Sequence, residues 1–153
     1  MESQAGGMEP QQRRRVLVGV DGSDGSRRAL RWAVDEAGRR DAVLEAVTVW
    51  QSPSGFGDTF GAPVDETRVA QAAAERLDET IAEVAGDDPS VPIEPVVLEG
   101  DPARVLCERS AAADLLVVGS LGHSPLSSAV LGSVSRRCAE ESPCPVVIVP
   151  KAP

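Results

Sequence analysis

Val16-Leu17-Val18-Gly19-Val20, running straight into Asp21-Gly22-Ser23-Asp24-Gly25-Ser26, is the stretch that decides how this chain reads. An apolar, valine-rich run with no polar alternation suits a short strand buried on both faces. The residues after it are the small, oxygen-bearing types that turn a chain and cap a helix. Beyond them Leu30, Ala33, Val34 and Ala37 fall at i, i+3, i+4 and i+7. That spacing makes an amphipathic helix with its arginines outward. Val43–Trp50 is a second β-branched run. Strand, helix, strand is the unit from which parallel sheets are built.

The same alternation continues to the end of the chain. Gln51 to Pro63 has no periodicity and reads as a long connecting loop. Val69, Ala73, Leu77, Ile81 and Val84 lie along one face of a long helix, and Ile93–Glu99 is the third strand. Gly100 turns the chain, Asp101 can cap, and Pro102 sits where a first helical residue tolerates a missing N–H. The helix that follows reaches about Ala112, Asp114–Gly119 is the fourth strand, Ser133–Glu141 a helix, and Pro145–Val149 the fifth strand. The expectation is an α/β fold, a single doubly wound parallel sheet of Rossmann-like type with helices on both faces. Residues 1–13 read as a disordered polar tail, and residues 14–151 as the domain. Ligands of such sheets bind at the carboxyl ends of the strands, where strand order reverses.

Composition excludes several functions. A net charge of −9 disfavours nucleic acid, because phosphate neutralisation needs clustered cations. The run Arg13-Arg14-Arg15 borders a polar tail and reads as solvated. No apolar run is long enough to cross a bilayer, and Met1 to Gly7 lacks the apolar core of a signal peptide, so a cytoplasmic location is expected. The three cysteines, Cys107, Cys138 and Cys144, form neither a disulfide framework nor a CxxC pair by spacing. With one histidine, His123, no metal-ligand spacing appears. The only lysine is Lys151, which removes the P-loop, whose lysine must follow its glycine loop directly.

Phosphate must therefore be held without an ammonium group, and one motif can do so. Gly119-Ser120-Leu121-Gly122 is followed nine residues later by Gly132-Ser133-Val134-Ser135, giving G-x2-G-x9-G-S directly after a buried strand. Gly119 and Gly122 allow backbone to approach a ligand with no Cβ in the way. Gly132-Ser133 opens a helix whose free N–H groups and dipole favour an anion. Ser133 and Ser135 offer hydroxyl donors at the same place, and Arg136 and Arg137 can raise the local potential.

With these residues in order, the chain resembles the ATP-binding branch of the universal stress proteins. Val18-Gly19-Val20-Asp21-Gly22-Ser23, Gly100-Asp101-Pro102-Ala103, the glycine motif and Cys144-Pro145-Val146-Val147-Ile148-Val149 carry the resemblance from about Arg14 to Lys151. It implies a five-stranded sheet in the order 3-2-1-4-5, ATP in the switch crevice with Mg2+, and a homodimer through the last strand. It further implies that Gly19 and Val20 lie against the adenine, with Val49 beside the base. Asp21 would stand near ribose and phosphates. Val118, Gly119 and Gly122 would surround ribose and phosphate, and Gly132, Ser133, Val134 and Ser135 would hold the phosphates. Leu121 stands where a basic or polar residue is common in the family, and Ser124-Pro125 where a further glycine is usual.

The function this implies is an ATP-binding regulatory or stress-response protein read by a protein partner. A slow ATPase or phosphotransferase is the alternative, and a cysteine-based redox sensor a further one. No general base, arginine finger or Walker-type metal site is evident, so no catalytic or metal residue is assigned. His123 reads as a solvent-facing loop residue, Cys144 as a small buried filler, and Trp50 as core or pocket wall.

Overall fold

The computed structural model describes residues 13–52, 65–121 and 131–151. Five strands form one parallel sheet: β1 (Arg15–Gly19), β2 (Val43–Trp50), β3 (Ile93–Glu99), β4 (Leu115–Gly119) and β5 (Val146–Val149). Their order is β3-β2-β1-β4-β5, as expected, so the strand order reverses between β1 and β4. Four described helices connect them: α1 (Asp24–Arg40), α2 (Glu66–Ala85), α3 (Pro102–Ser110) and α4 (Ser133–Glu141). The expected tail, apart from Arg13, and most of the loop after β2 lie outside the described residues.

The strands' two faces fill two cores. Val16, Val18, Leu44, Ala46 and Val117 face Leu30, Ala33 and Leu77, on the side covered by α1 and α2. Leu17, Val47, Leu116 and Val118 face Leu106, Cys107 and Cys138, on the side covered by α3 and α4. Central β1 is buried on both faces, whereas edge strand β5 is half-buried throughout. The helix starts are built from the residues expected. Ser23 caps α1 by accepting from the Ser26 N–H at 3.2 Å. Asp101 caps α3 by accepting from the Arg104 N–H at 3.0 Å, with Pro102 in the first turn.

Folding also assembles what sequence spacing hid. Cys107 and Cys138, one on α3 and one on α4, come together within the second core. Burial, foremost, pushes both thiols up, Cys138 to about 12. All three cysteines are free, and Cys144 is only half-buried. An alkylating reagent at pH 8 should therefore modify Cys144 first and reach the buried pair only as the chain unfolds. Two thiols labelled as fast as Cys144, counted by mass spectrometry, would contradict this packing. Because the folded pKa of Cys138 lies above its ordinary value of 9, its contribution to stability is complete below about pH 9. That contribution is lost as pH rises toward about 12.

Candidate functional site

A cavity of about 170 Å³ opens at the carboxyl ends of the strands, at the reversal of strand order. Gly19, Val20 and Asp21 line it from the end of β1, Val49 from β2, and Val118 and Gly119 from β4. Gly132, Ser133, Val134 and Ser135 close it from the start of α4. The structure thus brings together ten of the eleven residues expected at a site, and Gly122 lies outside the described residues. So do His123, Ser124 and Pro125.

The chemistry of the wall divides in two. Val47, Val49, Leu106 and Val118 belong to the second core and give an apolar surface suited to a flat ring. Ser23, Ser26, Asp21 and Ser133 supply oxygens. Gly132 precedes α4 as an N-cap with no side-chain cap bond, so the opening N–H groups of that helix remain available to an anion. The N–H of Gly132 itself is spent, donating to the Ser120 carbonyl at 2.7 Å.

Several roles differ from those expected. Ser135 lines the cavity, but its hydroxyl donates to the carbonyls of Ser120 and Gly132, at 3.0 and 3.1 Å. It therefore fixes the start of α4 on the end of β4 instead of offering a donor to a ligand. Gly119 leaves room for protein before it leaves room for ligand. A Cβ there would stand 2.8 Å from the carbonyl oxygen of Gly25 and 2.9 Å from its carbon. A Cβ on Gly25 would in turn overlap the carbonyl of Leu121. This mutual close approach seats the first turn of α1, with Ser23 and Ser26, on the end of β4.

Asp21 does not cap α1 directly. Its carboxylate accepts from the N–H of Ser23 at 3.0 Å and from the Ser23 hydroxyl, holding the capping residue in place. Arg137 is turned to Asp101, at 2.8 Å, and Glu141, at 3.6 Å, and neither it nor Arg136 lines the cavity. Trp50 is not a wall residue either. Val47 and Val49 line the cavity, and strand alternation sends Trp50 to the other face.

Sequence reasoning had not placed Ser23, Ser26, Val47, Pro102 or Leu106 at the site. Two of them carried a usable signal. Val47 is two residues before Val49 on the same strand, hence on the same face, and Ser26 is one helical turn past the cap.

Comparison with known proteins agrees with the fold. The Universal stress protein family matches residues 12–150. The chain is 40% identical over 134 residues to the universal stress protein Rv2005c of Mycobacterium tuberculosis, covering 87% of this chain and 44% of that protein. It therefore spans less than half the length of that relative. Among solved structures, UspA from Lactobacillus plantarum is similar with a TM-score of 0.72 at 21% identity, covering 91% of this chain and 99% of that one. A universal stress protein in complex with cAMP is similar with a TM-score of 0.59 at 29% identity, covering 93% of this chain and all of that one. With its strand order and the family match over nearly its whole length, the chain belongs to the universal stress protein family.

Proposed function

We propose that this chain is a nucleotide-binding regulatory module that holds an adenine nucleotide in the cavity between the ends of β1 and β4. The observation that carries the reading is that the uncapped start of α4 and the apolar residues Val49, Leu106 and Val118 line one cavity. Val49, Leu106 and Val118 fit a base, Asp21 can accept from ribose hydroxyls, and Ser133 with the opening N–H groups of α4 meets phosphate. The related protein solved with cAMP supports the same ligand class.

ATP is the nucleotide that the G-x2-G-x9-G-S motif favours, and Mg2+ would come with it. Asp21 is the only carboxylate lining the cavity among the described residues, which contain no group of three metal-ligating side chains. The metal would therefore ride on the phosphates, with Asp21 at most one of its ligands. With no histidine or lysine among the described lining residues, the site is suited to binding rather than turnover. Signalling then rests on the bound and free states differing in affinity for a partner. A second copy pairing along the half-buried edge of β5 would cover an open apolar strand. A cytoplasmic setting agrees with a net charge of −9 and with the absence of any membrane-spanning helix among the described residues.

Calorimetric titration with ATP and Mg2+ tests the site, beside a Ser133→Glu variant. Ser133 is exposed at the cavity mouth, so a carboxylate there meets phosphate without disturbing the core. One nucleotide per chain is expected, weakened about tenfold or more in the variant, as for like charges a few ångströms apart. No binding by the native chain, or equal binding by the variant, would remove the reading. Brisk phosphate release would replace it with the slow-ATPase alternative.

A further inference from the structure

Two helices bring their starts to the cavity, because each leaves the carboxyl end of a strand: α3 after β3 and α4 after β4. Pro102 and Leu106 line it from α3, and Ser133 and Val134 from α4. The two starts are anchored on different strands. The start of α4 is tied to the end of β4, where the Gly132 N–H and the Ser135 hydroxyl both donate to the Ser120 carbonyl. The start of α3 is tied to the end of β2, where the Gly100 N–H donates to the Trp50 carbonyl at 2.9 Å.

One carboxylate oxygen joins the two. Asp101 Oδ2 accepts from the Arg104 N–H at 3.0 Å, which caps α3, and from Arg137 Nη1 at 2.8 Å, which belongs to α4. Asp101 immediately precedes Pro102, and Arg137 lies one turn beyond Ser133 on the same face of its helix. The joint is therefore one residue from the wall on α3 and one turn from it on α4, although neither partner lines the cavity. At the far end of the helices Ser110 and Ser142 share a hydrogen bond of 3.1 Å, and Ser110 is fully buried. Leu106, Cys107 and Cys138, all in the second core, lie between the two joints. The far end is thus fixed by packing. The cavity end is held by an ion pair within reach of water, with Asp101 44% and Arg137 43% exposed.

We propose that Asp101 and Arg137 are positioning residues for the nucleotide site: their ion pair latches the start of α3 to the start of α4, and so sets the spacing between the base wall and the phosphate-holding helix start. This rests on the nucleotide-binding reading above and deepens it. Arg137 acts through Asp101 and not through its charge on phosphate, and one substitution separates the two roles by sign. Asp101→Asn keeps a capping side chain for α3 while removing the charge of the pair. An Arg137 that served phosphate directly would be released by this change, and ATP would bind more tightly. A latch that loses its charge loosens the site, and ATP binds more weakly. Ion pairs this exposed couple modestly, so the expected loss is about two- to fivefold.

The test is calorimetric titration of the native chain, Asp101→Asn, Arg137→Gln, their combination and Arg137→Lys, each with ATP and Mg2+ and each with adenosine. Asp101→Asn and Arg137→Gln should each weaken both ligands about two- to fivefold, and the combination no further than either alone. Arg137→Lys, which can still pair with Asp101, should stay near native. Adenosine carries no charge, so its affinity for the native chain should fall as salt screens the pair, and change less in Asp101→Asn. Tighter ATP binding in Asp101→Asn, losses in the two variants that add, or a loss confined to ATP would overturn the latch while leaving nucleotide binding intact. A native chain that binds neither ligand would overturn this inference together with the binding reading beneath it.

Discussion

Gly119→Ala is expected to destabilise the chain by about 1–3 kcal/mol, and Gly119→Val by more, although neither substitution touches a ligand. The added Cβ would stand 2.8 Å from the Gly25 carbonyl oxygen, 2.9 Å from its carbon and 3.3 Å from its Cα. Those are backbone atoms, so relief requires moving the first turn of α1. That turn carries Ser23 and Ser26 into the cavity, so the same substitution should deform the site. Gly22→Ala is the control. Gly22 has φ +84 and open space around its Cβ position, so alanine there adds backbone strain of about 1–2 kcal/mol without a clash. Urea unfolding of both variants, with nucleotide titration of the folded fraction, separates the two effects. Gly119→Ala should lose stability and affinity together, and Gly22→Ala stability alone. Native stability in Gly119→Ala would mean that α1 and β4 are not in the contact described.

That contact also marks where sequence reading stopped. The glycine spacing was legible because it is local: a buried strand, a turn and a helix start within one short stretch. β2, β3 and α4 were legible for the same reason, each bounded by its own turn or capping signals. What a glycine faces was not local. Gly119 reads as an opening for a ligand until the fold places Gly25, ninety-four residues earlier in the chain, against it. Ser135 likewise reads as a donor until Ser120 takes its hydrogen. Arg137 reads as a phosphate cation until Asp101 takes its charge. β1 was expected to begin at Val16, where the apolar run starts, yet it begins at Arg15. The reason is the company Arg15 keeps. It bridges Glu45 on β2 and Glu94 on β3, at 2.9 and 2.8 Å, partners that only the sheet register supplies. The Glu94 hydrogen bond is also the largest influence holding its guanidinium more firmly protonated than usual.

Removing both arginines that serve Glu45 is expected to be the most damaging change away from the cavity. Glu45 lies in the middle of an otherwise apolar strand, with a side chain only 4% exposed. Arg15 and Arg109 both pair with it, and their own side chains remain 32% and 40% exposed. The two halves of the cluster are therefore unequal. Glu45→Leu replaces the buried carboxylate with an apolar group of similar size and leaves the arginines free to turn to water, Arg15 still facing Glu94. Its cost should stay within about 1 kcal/mol, since exchanging a buried ion for packed hydrocarbon is close to neutral. Arg15→Met with Arg109→Met leaves a carboxylate in the core with no cation, and should cost about 3–5 kcal/mol. A domain of this size has about 5–15 kcal/mol in total, so the midpoint of thermal unfolding should fall by roughly 10 °C. Adding Glu45→Leu to that double variant should restore most of the loss, because the charge that needed the arginines is then gone. Thermal and urea unfolding of the four proteins forms the cycle. A double-arginine variant no less stable than Glu45→Leu, or one that Glu45→Leu fails to rescue, would show that the arginines act by packing their stems rather than by neutralising Glu45.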